Sequence, residues 1–90
     1  MRVGMDLTIS YKEGKAYAAY LTFPHPVGVK VHRTREMAPE IYVDFDRTGQ
    51  ILGIEMLDPR RATWTTLNRI LHKLQMPPLQ REWVRPLRAA

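Results

Sequence analysis

The stretch Ile41-Tyr42-Val43-Asp44-Phe45-Asp46-Arg47-Thr48-Gly49-Gln50-Ile51-Leu52-Gly53-Ile54-Glu55-Met56-Leu57 decides the fold. Ile41, Val43 and Phe45 alternate with Tyr42, Asp44 and Asp46, the two-residue period of a strand with one buried face. Arg47-Thr48-Gly49-Gln50 is a polar turn. In it, Asp46 accepts backbone N–H bonds and Gly49 supplies a positive φ. Ile51 to Leu57 resumes the alternation, with Leu52, Ile54 and Met56 on one side. Two alternating runs around a glycine-bearing turn read as a β-hairpin.

Towards the N-terminus the same period recurs. Met5, Leu7, Ile9 and Tyr11 alternate with Asp6, Thr8 and Ser10. After the turn Lys12-Glu13-Gly14-Lys15, Tyr17, Ala19, Leu21 and Phe23 alternate with Ala16, Ala18, Tyr20 and Thr22. This is a first hairpin, stopped by Pro24-His25-Pro26, since proline cannot donate to a strand ladder. Val27, Val29 and Val31 then predict a third strand that fades into Arg33 to Glu36. Towards the C-terminus the period changes. Asp58-Pro59 and Thr63 are helix-start signals. Trp64, Leu67, Leu71 and Leu74, with Ile70 beside them, form one apolar stripe at helical spacing, and Thr65, Arg69, His72 and Lys73 lie on the wetter side. Pro77-Pro78 ends the helix. The expected architecture is α+β: an antiparallel β-sheet of about five strands, a meander of hairpins, with one C-terminal amphipathic helix packed on one face. Residues 1–76 form this single domain, and residues 77–90 form a basic tail rich in Pro, Arg and Trp.

With 90 residues the chain is one small domain, and its composition narrows what it can do. It has no cysteine and one serine, Ser10, which removes disulfides, thiolate-held metals and most nucleophilic hydrolases. No run of residues approaches the length of a membrane span, and no signal peptide is visible, so a cytoplasmic protein without a membrane role is expected. Ten arginines against four lysines and a single asparagine, Asn68, fit a GC-rich genome or a heat-adapted protein. Residues 1–59 carry a net charge of −1 and residues 60–90 carry +6. The basic third therefore points to an acidic partner or nucleic acid, with Arg60, Arg61, Arg69, Lys73, Arg81, Arg85 and Arg88 as candidate contacts. Trp83 lies between Arg81 and Arg85, an interleaving that suits either base stacking or docking on an apolar surface.

Two constellations resemble reactive sites and fail on context. Asp44, Asp46, Thr48, Gly49 and Glu55 have the spacing of a calcium loop, yet strands rather than helices flank them. His25, His32 and His72 show no metal-ligand spacing. No catalytic residue, metal or cofactor is expected, and the protein reads as a non-enzyme.

The run from Val43 to Asp58, an aspartate-rich hairpin of the form D-x-D-x-x-G-x-I-x-G-I-E-x-L, closely resembles the signature of short prokaryotic proteins called domain of unknown function 2283. The hairpin from Tyr11 to Leu21 resembles that family's first hairpin, and the resemblance covers roughly residues 5–62. Gly14-Lys15-Ala16 stands where the family often carries acids. The resemblance implies a small sheet-and-helix protein with no established activity. Some relatives are encoded beside toxin-like proteins, which implies an accessory or antitoxin-like role beside a small partner protein. The leading expectation is thus a non-catalytic binding protein, and the alternative is a nucleic-acid-binding protein using the basic C-terminal helix and tail. The sheet face away from the helix would carry Ala16, Ala18, Tyr20, Tyr42, Ile51 and Leu57. So much apolar surface predicts a homodimer, with Tyr20 or Tyr42 near its centre and Ile51 and Trp83 in the same face.

Overall fold

A computed structural model of the protein describes residues 1–89. Seven strands are present: β1 (Arg2–Val3), β2 (Asp6–Lys12), β3 (Lys15–Thr22), β4 (His25–Pro26), β5 (Arg33–Ala38), β6 (Ile41–Phe45) and β7 (Ile51–Met56). A 3-10 turn at Pro59–Arg61 leads to α1 (Trp64–Lys73), and a second at Arg81–Trp83 leads to α2 (Arg85–Ala89). The class is the expected one: a five-stranded antiparallel sheet with α1 packed on one face, joined by a small sheet of β1 and β4.

The strand order is β2-β3-β7-β6-β5, which is not a plain meander because β7 inserts between β3 and β6. Its residues explain the placement. Ile51, Leu52, Gly53, Ile54 and Met56 are all buried, so β7 needs neighbours on both sides and belongs at the centre. The register then stacks the core in rows, Leu21 against Ile54 against Val43 and Ala19 against Met56 against Ile41. Leu67, Ile70 and Leu71 of α1 close over these rows.

The third strand is displaced from its expected place. Val27 to His32 is turn and irregular chain, with Val27 and Val31 exposed, and the strand is the charged run Arg33–Ala38. A sheet edge needs only one paired neighbour and tolerates charge, so β5 joins β6 although its residues carry no apolar alternation. Register shifts in the ladders also turn side chains to the other face, because one extra residue reverses the alternation. Between Asp44 and Phe45 the register slips, so that Phe45 faces Ile51 and both enter the core. Between Ser10 and Tyr11 a second slip leaves Tyr17 out of the expected core face and exposed.

α1 is capped at its N-terminus by Thr63, whose Oγ1 accepts the Thr66 N–H at 3.1 Å. Asp58 caps the 3-10 turn instead. The helix ends with Gln75 in the left-handed region and the Met76 N–H donating back to the Leu71 carbonyl at 2.9 Å. The chain beyond Met76 does not leave the core: Leu79, Val84 and Leu87 are buried in the same cluster as the sheet. Asn68 and Trp64 seat it. The Asn68 side-chain oxygen accepts the Leu79 N–H at 2.5 Å, and the Trp64 indole donates to the Leu79 carbonyl at 2.9 Å. A backbone led across an apolar surface needs such partners. The core therefore runs past the compositional boundary at residue 76, and of the segment 77–90 only Ala90 lies outside the described residues.

Candidate functional site

Residues paired across neighbouring strands project from the same face of a sheet. On the side away from α1 this places two rows across all five strands: Thr8, Tyr20, Glu55, Tyr42 and Glu36, and beside them Asp6, Thr22, Gly53, Asp44 and Thr34. The rows hold four carboxylates, two phenols and three threonine hydroxyls, and no basic side chain.

Gly53 organises the face. The Tyr20 ring lies directly over it, and a Cβ added at Gly53 would collide with that ring. Lying flat, Tyr20 reaches across the central strand and donates its hydroxyl to Asp44 Oδ2 at 2.8 Å. Thr34 donates to Asp44 Oδ1 at 2.6 Å. Both oxygens of Asp44 are thus engaged by hydroxyl groups from strands on either side. Burial, the bond to Asp44 and the nearby charge of Glu55 hold the Tyr20 proton well above the usual phenol range. Tyr42 is also shifted upward, first by the Glu36 carboxylate beside it and then by partial desolvation. Both phenols stay neutral donors at neutral pH. The arrangement is an acidic, hydrogen-bonding surface with its central groups held in place.

The hairpin turn accounts for the calcium-like spacing. Asp46 Oδ1 accepts the Thr48 N–H at 2.8 Å, the Thr48 hydroxyl at 2.7 Å and the Gln50 N–H at 2.9 Å. These bonds lower the Asp46 pKa, the Thr48 hydroxyl most. Gly49 adopts φ +88°, as the turn requires. Asp44 and Glu55 project from the sheet face rather than into the turn. His25, His32 and His72 lie on β4, on the chain before β5 and on α1.

The seven basic candidates all lie on the helices and 3-10 turns, and all are exposed. Arg60 and Arg61 approach the Asp58 carboxylate at 3.2 and 3.8 Å. Arg69 and Lys73 occupy the outer side of α1, opposite Leu67, Ile70 and Leu71. Arg81 stacks over the Trp64 ring at 4.2 Å, and Arg85 and Arg88 lie on α2. The molecule therefore has an acidic side and a basic side.

Of the candidate dimer residues, Tyr20 and Tyr42 share the open face, whereas Ile51 does not belong to it, because the bulge at Asp44 and Phe45 turns it into the core. There it lines a recess of about 310 Å³ with Phe23, Phe45, Leu74 and Met76, where the sheet and α1 part. Trp83 lies half-buried on the helix side against the core. Leu57 follows the end of β7 and is exposed. The face that looked apolar is mostly polar. Sequence reasoning missed Asp44 and Thr34 as a bonded pair and Asn68 as the clamp on Leu79. The one signal for Asn68 was its being the sole asparagine, four residues after Trp64.

Residues 15–59, half of the chain, match the model of a family described as a protein of unknown function, DUF2283. No curated protein and no solved structure matches. The matched segment runs from β3 through β7 and contains Tyr20, Thr34, Tyr42, Asp44, Gly53 and Glu55. Every basic candidate lies beyond it.

Proposed function

The chain belongs to the DUF2283 family, and on that premise we propose that it is a non-catalytic interaction module that engages a small protein partner through the open face of its sheet. The observation that carries the reading is the pair of polar rows. Within one chain the two rows present four carboxylates and no basic side chain, around a centre held by the Tyr20–Asp44–Thr34 bonds. A surface held in place in this way binds without first ordering its side chains, and its charge selects a basic partner. Asp44 is engaged at both oxygens, so it is no free general base, and no catalytic step is assigned to it. The module is read as acting in the cytoplasm as a homodimer, accompanying or neutralising its partner. Among the described residues no helix is long and apolar enough to cross a membrane.

The test is capture from the native lysate, with and without nuclease, comparing wild type with Glu36→Lys/Glu55→Lys. A protein that survives nuclease and is lost from the charge-reversed variant supports the reading. Capture that disappears with nuclease, or that the reversal leaves unchanged, overturns it.

A second reading rests on the basic side. Arg60, Arg61, Arg69, Lys73, Arg81, Arg85 and Arg88 would neutralise nucleic-acid phosphates, favoured by their common exposure on the helical side. It predicts affinity that falls steeply with salt, with a slope that shrinks by roughly one for each phosphate contact removed. Affinity that is flat between low and physiological salt removes this reading.

A further inference from the structure

We propose that β2 pairs antiparallel with β2 of a second copy about a two-fold axis through Ile9, joining two five-stranded sheets into one of ten strands. The existence of a homodimer rests on the reading above, and the contact is the new assignment.

β2 and β5 are the two edges of the sheet. An edge strand presents unpaired backbone groups and is a template for another strand unless its side chains prevent it. β5 prevents it. Paired with itself about Arg35, Arg33-Thr34-Arg35-Glu36-Met37 would set two guanidinium groups directly opposite each other.

β2 does the opposite. Its residues are Asp6-Leu7-Thr8-Ile9-Ser10-Tyr11-Lys12. Centred on Ile9, antiparallel pairing sets Asp6 opposite Lys12 of the second copy, Thr8 opposite Ser10, Leu7 opposite Tyr11 and Ile9 opposite itself. Each pair matches in kind: opposite charges, two hydroxyls, two apolar side chains. The match also respects the faces. Asp6 and Thr8 share the open face with Thr22 and Tyr20, and Leu7 and Ile9 pack with the core on the helix side. The strand is therefore complementary to itself in charge and in hydropathy at one register.

The helix side supplies room for the apolar pairs. A groove of about 410 Å³ beside β2 is lined by Leu7, Ile9, Trp83 and Pro86, with Asp6 and Glu82. Tyr11 is 56% exposed at the far end of the same strand. In the proposed register Tyr11 of the second copy lies over Leu7, at the groove, and the symmetric contact covers the other Tyr11. The half-buried Trp83 gains a second neighbour from the same contact.

Charge exchange tests the register without disturbing the core, because Asp6 and Lys12 are both exposed. Light scattering and sedimentation at micromolar concentration should give a dimer for wild type. Lys12→Glu and Asp6→Lys should each weaken it by about tenfold or more, since two symmetric attractions become repulsions. The double variant Asp6→Lys/Lys12→Glu should return to within about threefold of wild type, because it restores both pairs. Because the chain has no cysteine, Ile9→Cys supplies a second measurement: it should form a disulfide-linked dimer under mild oxidation, and Tyr42→Cys should not. A wild-type mass near 10.5 kDa throughout the concentration range overturns the dimer and this contact together. A dimer that tolerates Lys12→Glu but dissociates with Tyr42→Glu keeps the dimer and overturns this contact alone.

Discussion

The same five strands present two faces that are held in different ways. On the helix side, Leu21, Ile41, Val43, Ile54 and Met56 lie against Leu67 and Leu71, all essentially dry. On the open side, the contacts are a few directional bonds among Tyr20, Asp44 and Thr34. Burial is non-directional and supplies roughly 25 cal/mol for each Å² of apolar surface removed from water. A hydrogen bond between partly exposed groups contributes only about 0.5–1.5 kcal/mol, yet it fixes where its atoms sit. The covered face thus supplies stability and the open face supplies geometry. A surface can be preset for a partner at little stability cost when another face carries the fold.

Substitutions separate the two roles, beginning with the largest effect. Leu71→Ala removes a fully buried side chain from the helix–sheet contact. It should cost roughly 2–4 kcal/mol in chemical denaturation, as a large-to-small core change. Gly53→Ala comes next, at about 1–3 kcal/mol, the range for a side chain forced into occupied space. The new methyl displaces the Tyr20 ring and strips Asp44 of one donor. In a Tyr20→Ala background the same substitution should cost under about 0.5 kcal/mol, and an equal cost in both backgrounds would show that Tyr20 is not the reason glycine is needed.

Tyr20→Phe should cost about 0.5–1.5 kcal/mol at neutral pH, the loss of one hydrogen bond. It carries a pH signature as well. The fold raises the Tyr20 phenol above its ordinary value of 10.0. Its contribution is therefore complete below that pH and falls as pH rises beyond it, where the unfolded chain loses the proton that the folded chain still holds. Stability measured through the alkaline range should decline more steeply for wild type than for Tyr20→Phe, and parallel curves would contradict the assignment. Arg69→Ala, on the outer side of α1, should lie within about 0.5 kcal/mol of wild type. A larger loss would mean that the basic side also holds the fold.

Much of the covered face was legible beforehand, because a two-residue period names the buried side of a strand and a stripe of leucines names the buried side of a helix. Ile41, Val43, Ile54, Met56, Leu67 and Leu71 were identified in that way and are buried. The open face is less legible in the sequence. Alternation places Tyr20 and Tyr42 on it, but the bond from Tyr20 to Asp44 spans 24 residues of sequence and depends on the strand between them being glycine at that point. One-residue bulges, to which alternation is blind, turn Ile51 into the core and leave Tyr17 exposed.

The sequence by itself determined the elements whose cause is local. The Asp46–Gly49 turn and the Thr63 cap both act within a few residues of chain. The alternation of β2 and β6 and the stripe of α1 need no knowledge of a neighbour. Only the tertiary structure decided what depends on partners distant in sequence. It placed β7 between β3 and β6, made a strand of the charged Arg33–Ala38 and brought Leu79, Val84 and Leu87 into the core under the hold of Asn68 and Trp64. The physical reason is the same in each case. A side-chain pattern states which face of a segment avoids water, whereas the neighbour that covers it is chosen by the packing of the whole chain.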